Sequence, residues 1–188
     1  MARTNPDSEQ LTDRNQSDVL IPRSGKNTGV GIRPVVRSGC ETRHEIRSDA
    51  APATLFALLT KAQGLIRWLA HDVKADPQPG GIFRLADFCG LWIEGTYLEV
   101  TPLRMVVFTW GGIEGLKIGQ STVEFILHPD GDSTLVQLRH FGLSEAAVDA
   151  HSLCWKNWGL PKLKGVAEAR HAGATCLTDF AEWREQNS

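Results

Sequence analysis

The sequence predicts an α+β fold in which an antiparallel sheet of about seven strands curves around a long C-terminal helix. Between residues 73 and 141, short apolar segments alternate with turns rich in glycine and proline, which is typical of antiparallel strands. Residues 144–163 then carry apolar side chains at helical spacing. An antiparallel sheet buries one face, so we expect this helix to cover it.

The chain before residue 73 predicts one strand and two short helices. Residues 42–47 alternate weakly between apolar and polar side chains, as a half-buried strand does. Pro52 fits the first turn of a helix, where its missing N–H is no loss. Gly64 interrupts the apolar pattern, and residues 65–69 form the second helix.

The β region contains a hairpin and a glycine-rich loop. Residues 121–128 and 134–141 flank a turn that contains Gly131. Residues 111–119 hold four glycines and are expected to form a loop. The remaining predicted strands span residues 82–86, 91–100 and 105–110.

The C-terminal region returns to a helical pattern. Ser144 is a plausible N-cap with Glu145 in the first turn. Pro161 should kink or restart the helix, because proline cannot donate the backbone hydrogen bond. A short last helix is predicted after Gly173, with Leu177, Phe180 and Trp183 on its apolar face.

Composition divides the 188 residues near position 40. All fourteen aromatic residues follow residue 40, and residues 1–40 are polar without a period. We expect residues 1–40 to be a disordered or loosely attached extension and residues 41–188 to form one domain.

Charge and cysteine content exclude several classes of protein. The net charge of -2 is unlike that of a dedicated nucleic-acid binder. No segment approaches the roughly 18 apolar residues of a membrane-spanning helix, and the N-terminus does not resemble a secretion signal. We therefore expect a cytoplasmic protein without membrane insertion. The four scattered cysteines predict free thiols, and we expect no metal or other cofactor.

Strand parity separates the faces of the hairpin. Val123, Phe125 and Leu127 share a face, and the partner strand places Leu138 and His140 on the same side. Parity does not show which face of the strand at residues 91–100 is buried, since both alternating sets mix polar and apolar side chains. Residues 105–110 are apolar on both faces, so this strand should be covered on both sides or border a pocket.

Aromatic residues are concentrated on the elements that should surround the space between sheet and helix. They predict either an aromatic-lined pocket for an apolar ligand or plain core packing. The candidate lining residues are Trp68, Phe83, Trp92, Glu94, Trp110, Phe125, His140, Trp155 and Trp158.

Polar residues near this space could supply chemistry. His140, Glu94 and Asp87 could converge to orient a ligand or move a proton. The simpler interpretation, which we favour, is that His140 caps a strand end and Glu94 is solvated. His151 and Cys154 share a helix face, but a third group for nucleophilic or metal chemistry is not evident. We assign no catalytic and no metal-binding residue.

The order and spacing of several segments together match a known family: residues 50–56, 67–69, 75–84, 94–102, 105–110, 130–140, Trp155 and 160–163. These segments resemble the START-like (SRPBCC) superfamily, and within it the branch similar to the C-terminal domain of the activator of the heat-shock protein 90 ATPase. Cys154 stands where that branch usually has glycine, and Gln78 where it commonly has arginine.

The resemblance implies a helix-grip fold with a cavity between the sheet and the C-terminal helix. It does not imply one activity. The leading hypothesis is a protein that binds a small hydrophobic or amphipathic molecule in that cavity. One alternative is a chaperone-associated interaction domain, and another is a cyclase- or dehydratase-like enzyme using His140 or Glu94.

Overall fold

A computed structural model describes residues 39–86, 91–113 and 115–169. Seven antiparallel strands form one sheet in the order β1-β7-β6-β5-β4-β3-β2. The strands are β1 (Cys40–Ser48), β2 (Asp72–Ala75), β3 (Ile82–Ala86), β4 (Trp92–Thr101), β5 (Met105–Trp110), β6 (Ser121–Asp130) and β7 (Ser133–Leu143). The helices are α1 (Pro52–Thr60), α2 (Ala62–Ile66), α3 (Glu145–Cys154) and α4 (Leu160–Glu168), with a π-helical turn, Trp155–Gly159, joining the last two.

This architecture confirms the predicted fold class. Two short helices follow the first strand, six strands succeed them, and one long helix from Glu145 to Glu168 ends the described chain. The predicted extension up to residue 38, the predicted last helix and Asp87 lie outside the described residues. The proposed division of the chain near residue 40 therefore stays a prediction.

The hairpin of β6 and β7 has the faces that parity predicts. Phe125 pairs with Leu138 and Val123 pairs with His140, and all four side chains are buried. The turn is shorter than predicted, because Asp130 already pairs with Ser133. Gly131 adopts a φ of 59°, the conformation that a two-residue hairpin turn with glycine in its first position requires.

The π-helical turn shapes the long helix around its proline. The backbone N–H of Leu160 donates to the Trp155 carbonyl five residues earlier. Pro161 follows at once, where it has no N–H to donate, so the wider turn accommodates it. A Cβ on Gly159 would lie 2.7 Å from the Trp155 ring, so glycine lets that ring lie against the helix.

A second glycine brings β4 and β5 together. A Cβ at Gly95 would lie 1.8 Å from the Thr109 carbonyl oxygen. In its absence the Thr109 hydroxyl accepts a hydrogen bond of 2.9 Å from the Thr96 backbone N–H. Gly95 also pairs with Phe83 on β3, so its lack of a side chain fits the point where three strands approach closely.

Replacement of Gly95 by alanine should therefore lower the free energy of unfolding by at least about 2 kcal/mol, because backbone must move to admit the methyl group. The matched control is Gly165→Ala in α4, where an added Cβ meets nothing within 4 Å. Alanine there should raise stability by about 0.5–1 kcal/mol. Urea denaturation followed by circular dichroism measures both, and equal effects of the two variants would contradict the predicted difference.

Candidate functional site

The space between the sheet and the C-terminal helix is filled with aromatic rings. Phe83 and Phe108 stack with their centroids 3.9 Å apart, and Tyr97 meets Phe83 edge-on at 5.4 Å. Trp110 lies 5.6 Å from Trp155, which joins the sheet cluster to the helix. The candidate residues Trp68, Phe83, Trp110, Phe125, Trp155 and Trp158 are all buried.

His140 lies at the centre of a hydrogen-bonded chain that crosses from the helix to the sheet. The Trp155 indole Nε1–H donates to His140 Nδ1 over 3.0 Å. On the other side of the ring, His140 Nε2 lies 2.8 Å from the Ser121 hydroxyl. Ser121 in turn donates to the Trp110 carbonyl over 3.0 Å. These hydrogen bonds therefore link the π-helical turn to β7, β6 and β5 through buried atoms.

The direction of each bond fixes the protonation of His140. An indole N–H can only donate, so Nδ1 must carry a lone pair. Because the Ser121 hydrogen is given to the Trp110 carbonyl, Nε2 must carry the proton. Burial, and secondarily the nearby His151, hold the pKa of His140 well below its ordinary value. His140 is thus a neutral imidazole with both nitrogens engaged, and it lies buried within β7 instead of capping a strand end as the simpler interpretation expected.

This arrangement gives His140 a structural role, whereas a residue that merely lines a pocket could be replaced by alanine without loss of the fold. His140 is fully buried and bridges two polar side chains, so its removal would leave the Trp155 and Ser121 groups without their partner. Truncation is therefore expected to destabilise the domain.

Trp92 and Glu94 do not face the interior, which corrects their assignment as lining residues. Both lie on the outer face of β4, where Trp92 is 40% exposed. Arg84 on β3 packs over the Trp92 ring at 4.1 Å and pairs with the Glu94 carboxylate at 3.0 Å. His140 and Glu94 are therefore not brought together as an acid/base pair.

Tyr97 is an interior residue that parity alone did not identify. It lies on the inner face of β4 with Ile93, and its side chain is fully buried. The faces could not be separated in the sequence because Trp92 and Leu98 are apolar but exposed, and because a register shift between Tyr97 and Glu99 breaks the alternation. The sequence did contain one indication that Tyr97 faces inward. It belongs to the same alternating set as Ile93 and Gly95, which is the less polar of the two sets in this strand.

Two buried donors in this interior lack partners among the residues that the structure describes. The Tyr97 hydroxyl and the Trp110 indole N–H have no hydrogen-bond partner within residues 39–86, 91–113 and 115–169. Tyr97 is fully buried and Trp110 is 4% exposed, so bulk water does not satisfy them. Burial, and then the Asp76 carboxylate, raise the pKa of Tyr97, so the hydroxyl keeps its proton.

His151 and Cys154 remain ordinary members of a helix face. His151 Nδ1 lies 3.0 Å from the Ala147 carbonyl, and its ring is 4.9 Å from that of His140. The Cys154 thiol is half-buried. In the part of the chain that the structure describes, no group of three His, Cys, Asp or Glu side chains is placed to hold a metal ion.

The outer face of the sheet carries a separate groove of about 470 Å³ across β1, β7 and β6. Beside it the Glu41 carboxylate pairs with Arg139 at 2.6 Å and with Arg43 at 2.7 Å. These two guanidinium groups lower the pKa of Glu41. The groove is lined by Arg43, His44, Glu45, Glu124, Ile126, Gln137, Leu138 and Arg139.

Among the described residues, no helix is both long enough and apolar enough to cross a membrane. Comparison with known families matches residues 49–168 to the family described as Activator of Hsp90 ATPase homolog 1-like protein. No curated protein matches the chain.

Solved structures share the fold. An AHSA1-like protein from Rhizobium etli is 31% identical over 72% of this chain and 86% of its own, with a TM-score of 0.55. CalU16 from Micromonospora echinospora is 26% identical over 71% of this chain and 77% of its own, with a TM-score of 0.59. An Hsp90 activator from Plasmodium falciparum is 21% identical over 68% of this chain and 96% of its own, with a TM-score of 0.55.

The neutral state of His140 predicts how stability depends on pH. The unfolded chain binds a proton at this histidine below its ordinary pKa of 6.5, whereas the folded protein does not. The contribution of His140 to the free energy of unfolding is therefore complete above pH 6.5 and is progressively lost as the pH decreases from 6.5. Between pH 7.5 and 5.5 we expect a loss on the order of 1 kcal/mol from His140.

Urea denaturation at the two pH values measures this loss. His44, whose pKa is lowered by burial and then by Lys156, adds a change of the same sign. The lowered pKa of Glu41 acts only below its ordinary value of 4.5 and so lies outside this window. His140→Gln should reduce the pH dependence, while the exposed control His128→Gln should keep it; the same dependence in His140→Gln would show that the account is wrong.

Proposed function

This chain belongs to the Activator of Hsp90 ATPase homolog 1-like family, and we propose that its domain binds a small, flat, largely apolar molecule between the sheet and the C-terminal helix. Binding places the ligand among the buried rings, close to Tyr97 and Trp110. The function is that of a small-molecule binding protein, and the ligand replaces contacts that the free protein makes among its own side chains.

The observation that carries this proposal is the pair of unpartnered donors. Buried polar side chains nearly always have a hydrogen-bond partner. Leaving one unsatisfied costs about 1–3 kcal/mol. Tyr97 and Trp110 each bear this cost, and a phenylalanine at either position would avoid it. A bound molecule that accepts hydrogen bonds would satisfy both donors and remove this cost.

The rings around the two donors favour a flat ligand. Trp110 is bordered by Phe108 at 6.3 Å and by Trp155 at 5.6 Å, with the rings tilted by 35° and 56°. A planar molecule can stack between rings once they separate. The stacked contact of Phe83 with Phe108 at 3.9 Å means that binding requires side chains to rotate.

The test compares the stability and the ligand response of Tyr97→Phe. Removing an unsatisfied hydroxyl should raise the free energy of unfolding of the ligand-free protein by about 1 kcal/mol or more. The same variant should show a smaller thermal shift with ligand than the wild type. The panel contains flat aromatic ketones and fatty acids, and native mass spectrometry of the purified full chain detects a retained molecule.

The matched control is Trp68→Phe. The Trp68 indole donates to the Leu58 carbonyl over 3.0 Å, so this variant loses a satisfied bond and should be destabilised. Destabilisation by Tyr97→Phe would contradict the absence of a partner. A panel without a single thermal shift, together with a mass spectrum without an adduct, would overturn the binding proposal.

A second candidate function is association with an Hsp90-type chaperone. The family match and the likeness to the Plasmodium falciparum Hsp90 activator favour it. Such a role would use an outer surface, for which the groove beside Glu41 and Arg139 offers charged groups on rigid strands. It does not require an interior ligand, so the two functions can be tested separately.

For this candidate we expect the full chain to bind a purified Hsp90-type chaperone and to change its ATPase rate. Arg139→Ala should weaken binding several-fold, because it removes a charged side chain from the groove. Lys61→Ala, at an exposed position between α1 and α2, is the control and should bind normally. Calorimetry without a binding heat and an unchanged ATPase rate would contradict the chaperone role.

A further inference from the structure

We propose that the interior site selects uncharged molecules that carry a carbonyl hydrogen-bond acceptor and rejects carboxylates of the same shape. This inference rests on the proposed small-molecule function and names the chemical class of its ligand. It follows from three properties of the described interior: the charges it lacks, the engagement of His140, and the kind of polar atom left without a partner.

The described part of the buried interior contains no charged residue type that could neutralise a ligand. Among the described residues, the buried polar side chains belong to serine, threonine, tyrosine, tryptophan and histidine, and Asp, Glu, Lys and Arg are absent from the buried set. An anion moved from water into such surroundings loses its hydration and gains no counter-charge. A carboxylate should therefore be strongly disfavoured compared with a neutral molecule.

His140 cannot readily supply the missing positive charge. Protonating its Nδ1 would remove the lone pair that accepts the Trp155 N–H and would oppose two donors across 3.0 Å. It would also place a charge 4.9 Å from the His151 ring, which is itself buried. The hydrogen bonds of His140 to Trp155 and Ser121 thus keep this part of the interior uncharged.

The two unsatisfied groups both offer hydrogens. The Trp110 indole can only donate, and the Tyr97 hydroxyl retains its proton and donates as well. A ligand oxygen with lone pairs satisfies such groups, whereas a hydrocarbon leaves them as they are. A carbonyl combines acceptor capacity with zero net charge, which is the combination that this interior favours.

Three tricyclic probes of nearly equal shape separate the effects: xanthone, xanthene and xanthone-2-carboxylate. Xanthone is a neutral ketone, xanthene lacks the carbonyl, and the third adds a negative charge at pH 7.5. Quenching of tryptophan fluorescence in the full chain measures each dissociation constant. We expect xanthone to bind about 5–10-fold more tightly than xanthene and at least about 100-fold more tightly than the carboxylate.

Tyr97→Phe identifies the donor involved. It should weaken the binding of xanthone several-fold and leave the affinity for xanthene nearly unchanged, since xanthene lacks the carbonyl that would accept from the hydroxyl. Because the chain has one tyrosine, 3-fluorotyrosine labelling gives a single fluorine resonance. That resonance should shift more with xanthone than with xanthene, which reports the contact independently of affinity. Lys61→Ala, at an exposed position outside this interior, is the control that should keep the preference for xanthone.

The outcomes distinguish this inference from the function on which it rests. Equal binding of xanthone and its carboxylate would overturn the selection for uncharged ligands and leave the binding function standing. Equal binding of xanthone and xanthene, unaffected by Tyr97→Phe, would overturn the role of the acceptor. If none of the three probes binds, the inference is wrong, and the wider panel of ketones and fatty acids decides whether the interior binds small molecules.

Discussion

The position of the C-terminal helix depends on one buried hydrogen-bonded chain. The Trp155 indole, the neutral His140 ring, the Ser121 hydroxyl and the Trp110 carbonyl each have a defined donor or acceptor role in it. Each hydrogen bond in this series requires a defined direction, whereas the apolar contacts around it tolerate small displacements. The series therefore sets where the helix lies on the sheet, while burial of the rings supplies most of the stability.

Local features of the long helix make this series of hydrogen bonds possible. The π-helical turn begins at Trp155, and Gly159 leaves room for the tryptophan ring against the backbone. Pro161 lies in the first turn of α4, two residues after the π-helical turn ends, and would oppose a regular α-helix through this segment. π-helical turns occur often at functional sites, and here the turn presents Trp155 and Trp158 to the interior. Gly159 and Pro161 thus favour the π-helical turn, and the turn places the Trp155 indole where it can donate to His140.

Most of the fold could be predicted from the sequence because hydrophobic alternation reports burial on one face. The faces of β6 and β7 followed from parity, since polar side chains such as Glu124 and Arg139 alternate with apolar ones. Parity did not separate the faces of β4, where a register shift follows Tyr97 and both alternating sets are mixed. Trp92 was consequently assigned to the interior, although Arg84 covers it on the outer face.

The candidate site was only partly predictable for a different reason. Trp110, Phe125 and Trp155 were identified because large aromatic side chains on these elements have to be buried. The role of His140 depends on the orientation of Trp155 across the interior, which no local pattern contains. The lack of a partner at Tyr97 is likewise a property of the packed structure. Sequence reasoning finds the residues of such an interior and not the hydrogen bonds among them.

The most direct measurement is the ¹⁵N chemical shifts of the His140 ring nitrogens in the folded protein. The account predicts a neutral ring at pH 7 with the proton on Nε2 and an unprotonated Nδ1 that accepts a hydrogen bond. This pattern should persist as the pH is lowered until the protein unfolds. A proton on Nδ1, or a ring that titrates near the ordinary histidine value in the folded state, would contradict the chain that positions the helix.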